Sequence, residues 1–194
     1  VSLFGTEKAG HQDQANAEKV GQPVDKVNNQ PENSMEVHLS ELGNESPKTV
    51  DMAMKKIYKT SKGTVKHVES KQFGIEFRLR SIYSYNGLLF FRTEIKNDSN
   101  IPFDIDFLTF RIVDRKVVKR MAIQETVVEP VRTYNNLTSV TRKNAESTVF
   151  AFQKFTIPDK KQLVVELFEK NGGRHQHFVI KNGDLTKASA IEKL

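Results

Sequence analysis

The chain has 194 residues, with 30 Lys and Arg against 24 Asp and Glu, a net charge of +6, and neither Cys nor Trp. That length suits one domain, or one domain with a tail. The absence of cysteine excludes a disulfide framework, a thiol nucleophile and Cys-ligated zinc, and no run of 18 apolar residues is present to span a bilayer as a helix.

A net positive charge suggests a nucleic-acid binder, but its distribution argues otherwise. Residues 1–50 hold four basic and eight acidic residues, a net −4, whereas residues 51–194 hold 26 basic and 16 acidic, a net +10. Phe4 is the only aromatic before residue 51. An acidic stretch with one aromatic cannot bury enough surface to offset its ordering entropy, so residues 1–46 are predicted to be a flexible acidic tail or linker. Residues 47–194 are then the folded domain. The chain opens on Val1 with no basic-then-apolar leader, the pattern of a processed or truncated product, and so the missing signal peptide does not argue against export.

Ser46-Pro47 is a helix start: a capping residue followed by proline at the first helical position. Val50, Met54, Ile57 and Tyr58 recur at helical spacing, which predicts a helix over 47–60. Its single apolar stripe must cover either its own domain, the commoner outcome, or another protein. Met54, Ile57 and Tyr58 are therefore candidate partner contacts.

After Gly74 the period changes to two: Ile75, Phe77 and Leu79 alternate with Glu76, Arg78 and Arg80, as in a half-buried strand. Tyr85-Asn86-Gly87 is a hairpin signal. The next strand, Leu88 to Lys96, has Leu89, Phe91 and Ile95 on one face. The chain turns at Asn97-Asp98-Ser99-Asn100 and extends again from Ile101 to Val113. There Phe103, Ile105 and Phe107 are odd-numbered but Phe110 and Ile112 even, so a bulge or bend is expected near Leu108-Thr109, where the strand passes between sheets. A long strand is expected over Val117–Val128, then a polar, irregular loop over 131–146. Strands follow at Thr148–Ile157, Leu163–Glu169 and Arg174–Ile180, the last two joined by a hairpin at Asn171-Gly172-Gly173. Asp184 can cap a short final helix running from Leu185 to about Ile191.

Seven or eight strands in just over 100 residues, with turn signals every 8–12 residues and no helices between them, predict an all-β fold. The specific expectation is an antiparallel immunoglobulin-like β-sandwich with one preceding helix and a short C-terminal helix. The likeness to antibody domains is architectural only, since their Cys–Trp–Cys core is missing.

The chemical inventory favours a protein that is not an enzyme and carries no cofactor. Gly5 and Gly10 have phosphate-loop spacing, but His11-Gln12 follows where Lys and Ser/Thr are needed. No dinucleotide fingerprint, zinc-protease motif or nucleophile elbow occurs. Asp104 and Asp106 share a strand face and suit an acid/base pair or Ca²⁺, yet they also read as the solvent side of a strand whose other side is aromatic. His175 and His177 share a face as well, without a third ligand for a metal. The basic doublets Arg115-Lys116, Lys119-Arg120 and Lys160-Lys161 fall at turns and on alternate positions, where they protect sheet edges. They do not interleave with aromatics on the predicted exposed faces, so direct binding of nucleic acid stays the alternative reading.

The feature that folding explains least is the even face of the strand over 117–128: Val118, Arg120, Ala122, Gln124 and Thr126. A central Arg and Gln on a mixed face suit a protein contact, because Arg is enriched at interfaces and donates forked hydrogen bonds. Lys119, Arg120, Gln124 and Glu125 are the candidate partner contacts here.

Four segments of the domain resemble the TraN proteins of Bacteroides-type conjugative transposons: Asn97–Asp106, Lys119–Glu125, Phe152–Pro158 and Val164–Lys170. The first two are the most specific, since polar residues recur at fixed places inside β patterns. The resemblance covers roughly residues 60–190. It implies an exported, non-enzymatic scaffold of a conjugation machine related to type IV secretion systems. Such a scaffold would lie in the periplasm at the outer membrane and contact an outer-membrane lipoprotein and a channel component, with homo-oligomerisation inside the assembly left open. The resemblance brings no catalytic residues with it.

Overall fold

The computed structural model describes residues 45–116 and 125–191; most of the predicted tail, and Val117–Gln124, lie outside them. Helix α1, Pro47–Lys59, forms for the reason its sequence suggests: the Ser46 hydroxyl accepts from the Thr49 amide at 3.2 Å, and Pro47 occupies the first turn, where no amide donor is needed. It ends at Thr60, whose amide donates to the Ile57 carbonyl at 3.1 Å. Burying Val50, Ala53, Met54 and Ile57 fixes one face.

The strands are β1 Glu69–Gln72, β2 Ile75–Tyr85, β3 Leu88–Asn97, β4 Phe103–Asp114, β5 Thr126–Val127, β6 Arg132–Tyr134, β7 Ser139–Val140, β8 Asn144–Gln153, β9 Lys161–Glu169, β10 Gln176–Ile180 and β11 Ser189–Ala190; a one-turn helix, α2 Asn182–Leu185, precedes the last. One sheet has the order β1-β2-β3-β8-β6, with β11 also on β2; the other has the order β10-β9-β4-β5, with β7 also on β4. All pairings are antiparallel except β11 on β2. The fold is an antiparallel β-sandwich.

Aromatic residues from both sheets meet between them. Phe110 of one sheet packs edge-on against Phe152 and Phe150 of the other, at 4.8 and 5.1 Å between centroids, and Phe77 meets Phe178 at 4.7 Å. Such pairs add to the apolar burial itself. Two buried polar side chains join the sheets. Gln176 accepts from the Ser70 hydroxyl at 2.8 Å and donates to the Gln72 carbonyl, linking β10 to β1. Asn97 donates to the carbonyls of Ile101 and Val140 and accepts from Ser99, which shapes the crossing from β3 to β4. A buried amide whose bonds are made costs little and specifies geometry.

A second, smaller core lies outside the sandwich. Val50, Ala53, Met54 and Ile57 of α1 pack on Tyr83, Leu88, Phe90, Val149 and Ala151, with Ile191 beside them. The helix covers only the apolar half of that outer face. On the other half, Glu76, Arg78 and Glu94 form ion pairs, and the Arg92 guanidinium donates to the Thr60 carbonyl at the end of α1. Arg92 is the border between the two halves; burial lowers its pKa.

The structure corrects several local expectations. The irregularity in β4 falls between Ile105 and Phe107, not at Leu108-Thr109. It lies beside the residues Phe103 and Asp104 that pair with β7, before β4 continues along β9 and reaches β5 at Arg111. Strand β1 was not expected, since its four residues are polar and form a strand only through pairing with β2. The region 131–146, expected to be a loop, contains β6, β7 and the start of β8. The final helix is one turn long, and Asp184 accepts from the Lys181 amide from the third helical position rather than capping as the first residue. The chain then pairs as β11 instead of remaining helical.

Candidate functional site

Both faces of the six-stranded sheet carry packed apolar residues, the inner face against the second sheet and half of the outer face under α1. The outer face of the five-stranded sheet has no such cover among the described residues. Its side chains form rows across β10, β9 and β4. The irregularity after Ile105 turns Phe107 outward, opposite Phe168, and the two rings stack at 4.4 Å and 25°. Phe168 also stacks on His175 at 5.9 Å and 16°, giving a row of three rings. The second row is His177, Glu166 and Thr109; the third is Val179, Val164 and Arg111, with Val127 paired to Arg111 from β5. Phe107 is 47% exposed and Val127 55%.

Arg111 holds this face together. Its Nη1 donates to Glu125 Oε2 at 2.6 Å and its Nη2 donates to Glu166, tying β4 to β9 and to the residue before β5. These two carboxylates, Glu166 first, raise the Arg111 pKa above its ordinary value. One cation between two carboxylates on a partly apolar face is suited to a protein surface and poorly suited to a polyanion, which binds where positive charge is unneutralised.

Of the residues predicted for partner contact, Glu125 lies on this face, bonded to Arg111. Lys119, Arg120 and Gln124 lie outside the described residues, in the connection between β4 and β5. Met54 and Ile57, at 1% and 0% exposure, are buried on their own domain, the commoner of the two outcomes expected of the helix stripe. Tyr58 packs at its edge against Tyr134, at 5.3 Å and 61°. The reason is the second apolar face of β3 and β8. Leu88-Leu89-Phe90-Phe91 and Val149-Phe150-Ala151-Phe152 are uninterrupted apolar runs, the pattern of strands buried on both sides, and α1 is the cover they require.

Phe107, Phe168 and Arg111 were not predicted to form a surface. The available signal was parity: Phe168 breaks the alternation of Leu163, Val165 and Leu167, as Phe107 breaks that of Phe110 and Ile112. Asp104 and Asp106 are both exposed. His175 and His177 lie on the outer face, His175 against Phe168. Among the described residues no group of three His, Asp or Glu side chains is placed to hold a metal, and no helix is long and apolar enough to cross a membrane.

A family model described as "Domain of unknown function (DUF4138)" matches residues 47–190, from the first residue of α1 to the last of β11. Neither the curated proteins nor the solved structures give a match.

Proposed function

We propose that this chain, which belongs to the DUF4138 family of domains of unknown function, is a non-enzymatic structural component of a conjugative-transposon transfer apparatus related to type IV secretion. It acts by protein–protein contacts at the cell envelope, in the periplasm against the outer membrane, with a lipoprotein and a channel component as its neighbours. The observation that carries this reading is the outer face of the five-stranded sheet, uncovered among the described residues: a row of rings, and an aliphatic row that ends in a forked arginine. An exposed apolar patch rimmed by polar groups marks an interaction site. The resemblance of Asn97–Asp106 and Lys119–Glu125 to TraN proteins supplies the assembly in which that surface would be used.

The test is co-purification from cells carrying the transfer apparatus, with the full chain tagged. Phe107→Asp with Phe168→Asp is expected to abolish co-purification of the other apparatus proteins and to stop transfer, while the thermal unfolding midpoint stays within a few degrees of the parent. Arg120→Glu is expected to weaken the same assembly. Co-purification unchanged in both variants overturns the proposal, as does fractionation of the chain away from the envelope.

A further inference from the structure

The six-stranded sheet ends at β6, which pairs with β8 on one side and with no described strand on the other. An open edge presents unpaired backbone groups and invites another strand. Beside this edge runs a groove whose helical wall is Lys48, Asp51, Met52 and Lys55 of α1 and whose other wall is β6 itself. The two walls lie alongside each other. Asp51, early in α1, meets Arg132 at the start of β6, and Tyr58, late in α1, meets Tyr134 at its end.

Arg132 and Tyr134 stand opposite Ala151 and Val149, which belong to the core under α1, whereas Thr133 stands opposite Phe150 of the main core. A strand laid along β6 would therefore turn alternate side chains toward α1. There they would meet Lys48, Met52 and Lys55, which fall on one stripe of the helix, four and three residues apart. Met52 is 57% exposed, an apolar side chain left outside both cores. Lys48 and Lys55 have no acidic partner among the described residues, and the carboxylate in the groove, Asp51, is engaged by Arg132 at 3.5 Å. Three cations against one carboxylate leave the groove positive.

Charge and spacing together describe the occupant. Lys48 and Lys55 are seven residues apart, about 10.5 Å along a helix. Residues i and i+4 on one face of a strand are about 13 Å apart, a difference that flexible lysine stems absorb. An extended segment with acidic residues at i and i+4 and an apolar residue at i+2 thus sets a carboxylate at each lysine and its apolar side chain against Met52 and Tyr134. A second copy of this edge does not fit, because pairing through β6 would bring Lys48, Lys55 and Arg132 of each copy together, like charge against like. A nucleic acid or a membrane would use the lysines and leave the backbone of the edge unpaired.

We propose that the groove between α1 and β6 is a docking site for an extended acidic segment of a partner protein. The segment adds to the free edge of β6 as a strand and presents the pattern acidic–any–apolar–any–acidic toward α1. This surface is separate from the outer face of the five-stranded sheet, and the inference does not rest on the function proposed for that face.

The probe is the acetylated and amidated peptide Ser-Glu-Thr-Val-Thr-Glu-Ser, carrying a fluorophore and titrated against the full chain by anisotropy at low salt. It is expected to bind at least about tenfold tighter than the same peptide with lysine in place of both glutamates, and Lys48→Glu with Lys55→Glu is expected to weaken it about tenfold. At saturation, amide exchange in residues 131–135 should slow about tenfold, with exchange in β4 and β9 unchanged. The same peptide N-methylated at its five central residues keeps the charges but offers no ladder donors, and is expected not to bind. Equal affinity of the methylated peptide would assign the lysines to a polyanion held by charge alone and overturns the added strand. Equal affinity of the acidic and lysine peptides, or unchanged exchange in 131–135, overturns the site. Phe107→Asp with Phe168→Asp is expected to leave the affinity unchanged, so that failure here is distinct from failure of the proposed function; loss of binding in that variant would put the peptide on the other sheet and overturn the assignment.

Discussion

The carboxylate of Glu169 occupies the space that a side chain at Gly172 would need. A Cβ on Gly172 would collide with both the Oε2 and the Cδ of Glu169. The glycine is therefore required by an ion pair, not by its own backbone conformation. Glu169 accepts from Arg174 Nε at 2.9 Å and from the Arg174 amide at 3.0 Å. Arg174 in turn donates to Ser99 and to the Pro102 carbonyl, and lies 5.5 Å above the ring of Phe103. One arginine thus binds the β9–β10 turn to the loop that carries the chain between sheets.

Gly172→Ala should displace the carboxylate and cost roughly 1–3 kcal/mol, the range for leaving a buried polar group without its partner. Gly173→Ala, where the added methyl meets nothing within 4 Å, should change stability far less. Urea unfolding midpoints of the two variants check the contrast, and equal midpoints would contradict it.

The same pair makes acid stability depend on Glu169. The hydrogen bond from the Arg174 side chain, the largest influence, holds the Glu169 pKa below the usual carboxylate range. A carboxyl whose folded pKa is depressed contributes its full stabilisation above its unfolded value. That contribution is lost as pH falls through the lower folded value. Melting temperature should therefore fall from about pH 4.5 downward, and Glu169→Gln should show a lower plateau at neutral pH with a shallower acid decline. Parallel acid limbs for the two proteins would remove Glu169 as a contributor.

The helix stripe gives a third contrast. Met54→Ala or Ile57→Ala should each cost about 2–5 kcal/mol, because each leaves a cavity between α1 and β3–β8. Met52→Ala, on the exposed side of the same helix, should fall within about 0.5 kcal/mol of the parent. Chemical denaturation followed by far-ultraviolet circular dichroism distinguishes them.

The β2–β3 hairpin needs two residues of left-handed backbone at its turn. Asn86 and Gly87 have φ of 43° and 79°, the positive values of a two-residue hairpin turn. Nothing lies within 4 Å of an added Cβ at Gly87, so Gly87→Ala tests conformational strain free of steric contact. The expected loss is about 1–2 kcal/mol; a neutral substitution would show that the turn relaxes.

The parts legible in the sequence were those set by neighbours along the chain. Ser46-Pro47 fixes a helix start whatever it packs on, and Asn86-Gly87 fixes a turn because few residues accept positive φ. The strands of the main core followed from alternation. What escaped reading depended on partners far away in sequence. Phe107 points outward because β4 changes register against β9 between Ile105 and Phe107; the parity switch nearby signals a bulge but not its position, which the pairing with β9 decides. Polar Glu69–Gln72 and Arg132–Tyr134 become strands because β2 and β8 offer them ladders. Met54 and Ile57 form a stripe that more often covers its own domain than a foreign surface, and which surface it covers depends on the second apolar faces of β3 and β8.

Both ends of the domain converge on one place. Val50, Met54 and Ile57 from its first element and Ile191 from its last share a cluster, and β11 lies on β2 in a two-residue parallel ladder. Tension applied between the two ends would run through this latch and bypass the aromatic core. Under load the latch would open first, paying out α1 and the last residues while the sandwich kept its shape. A domain wired this way can lengthen at its ends without disturbing the stacked rings of Phe107 and Phe168.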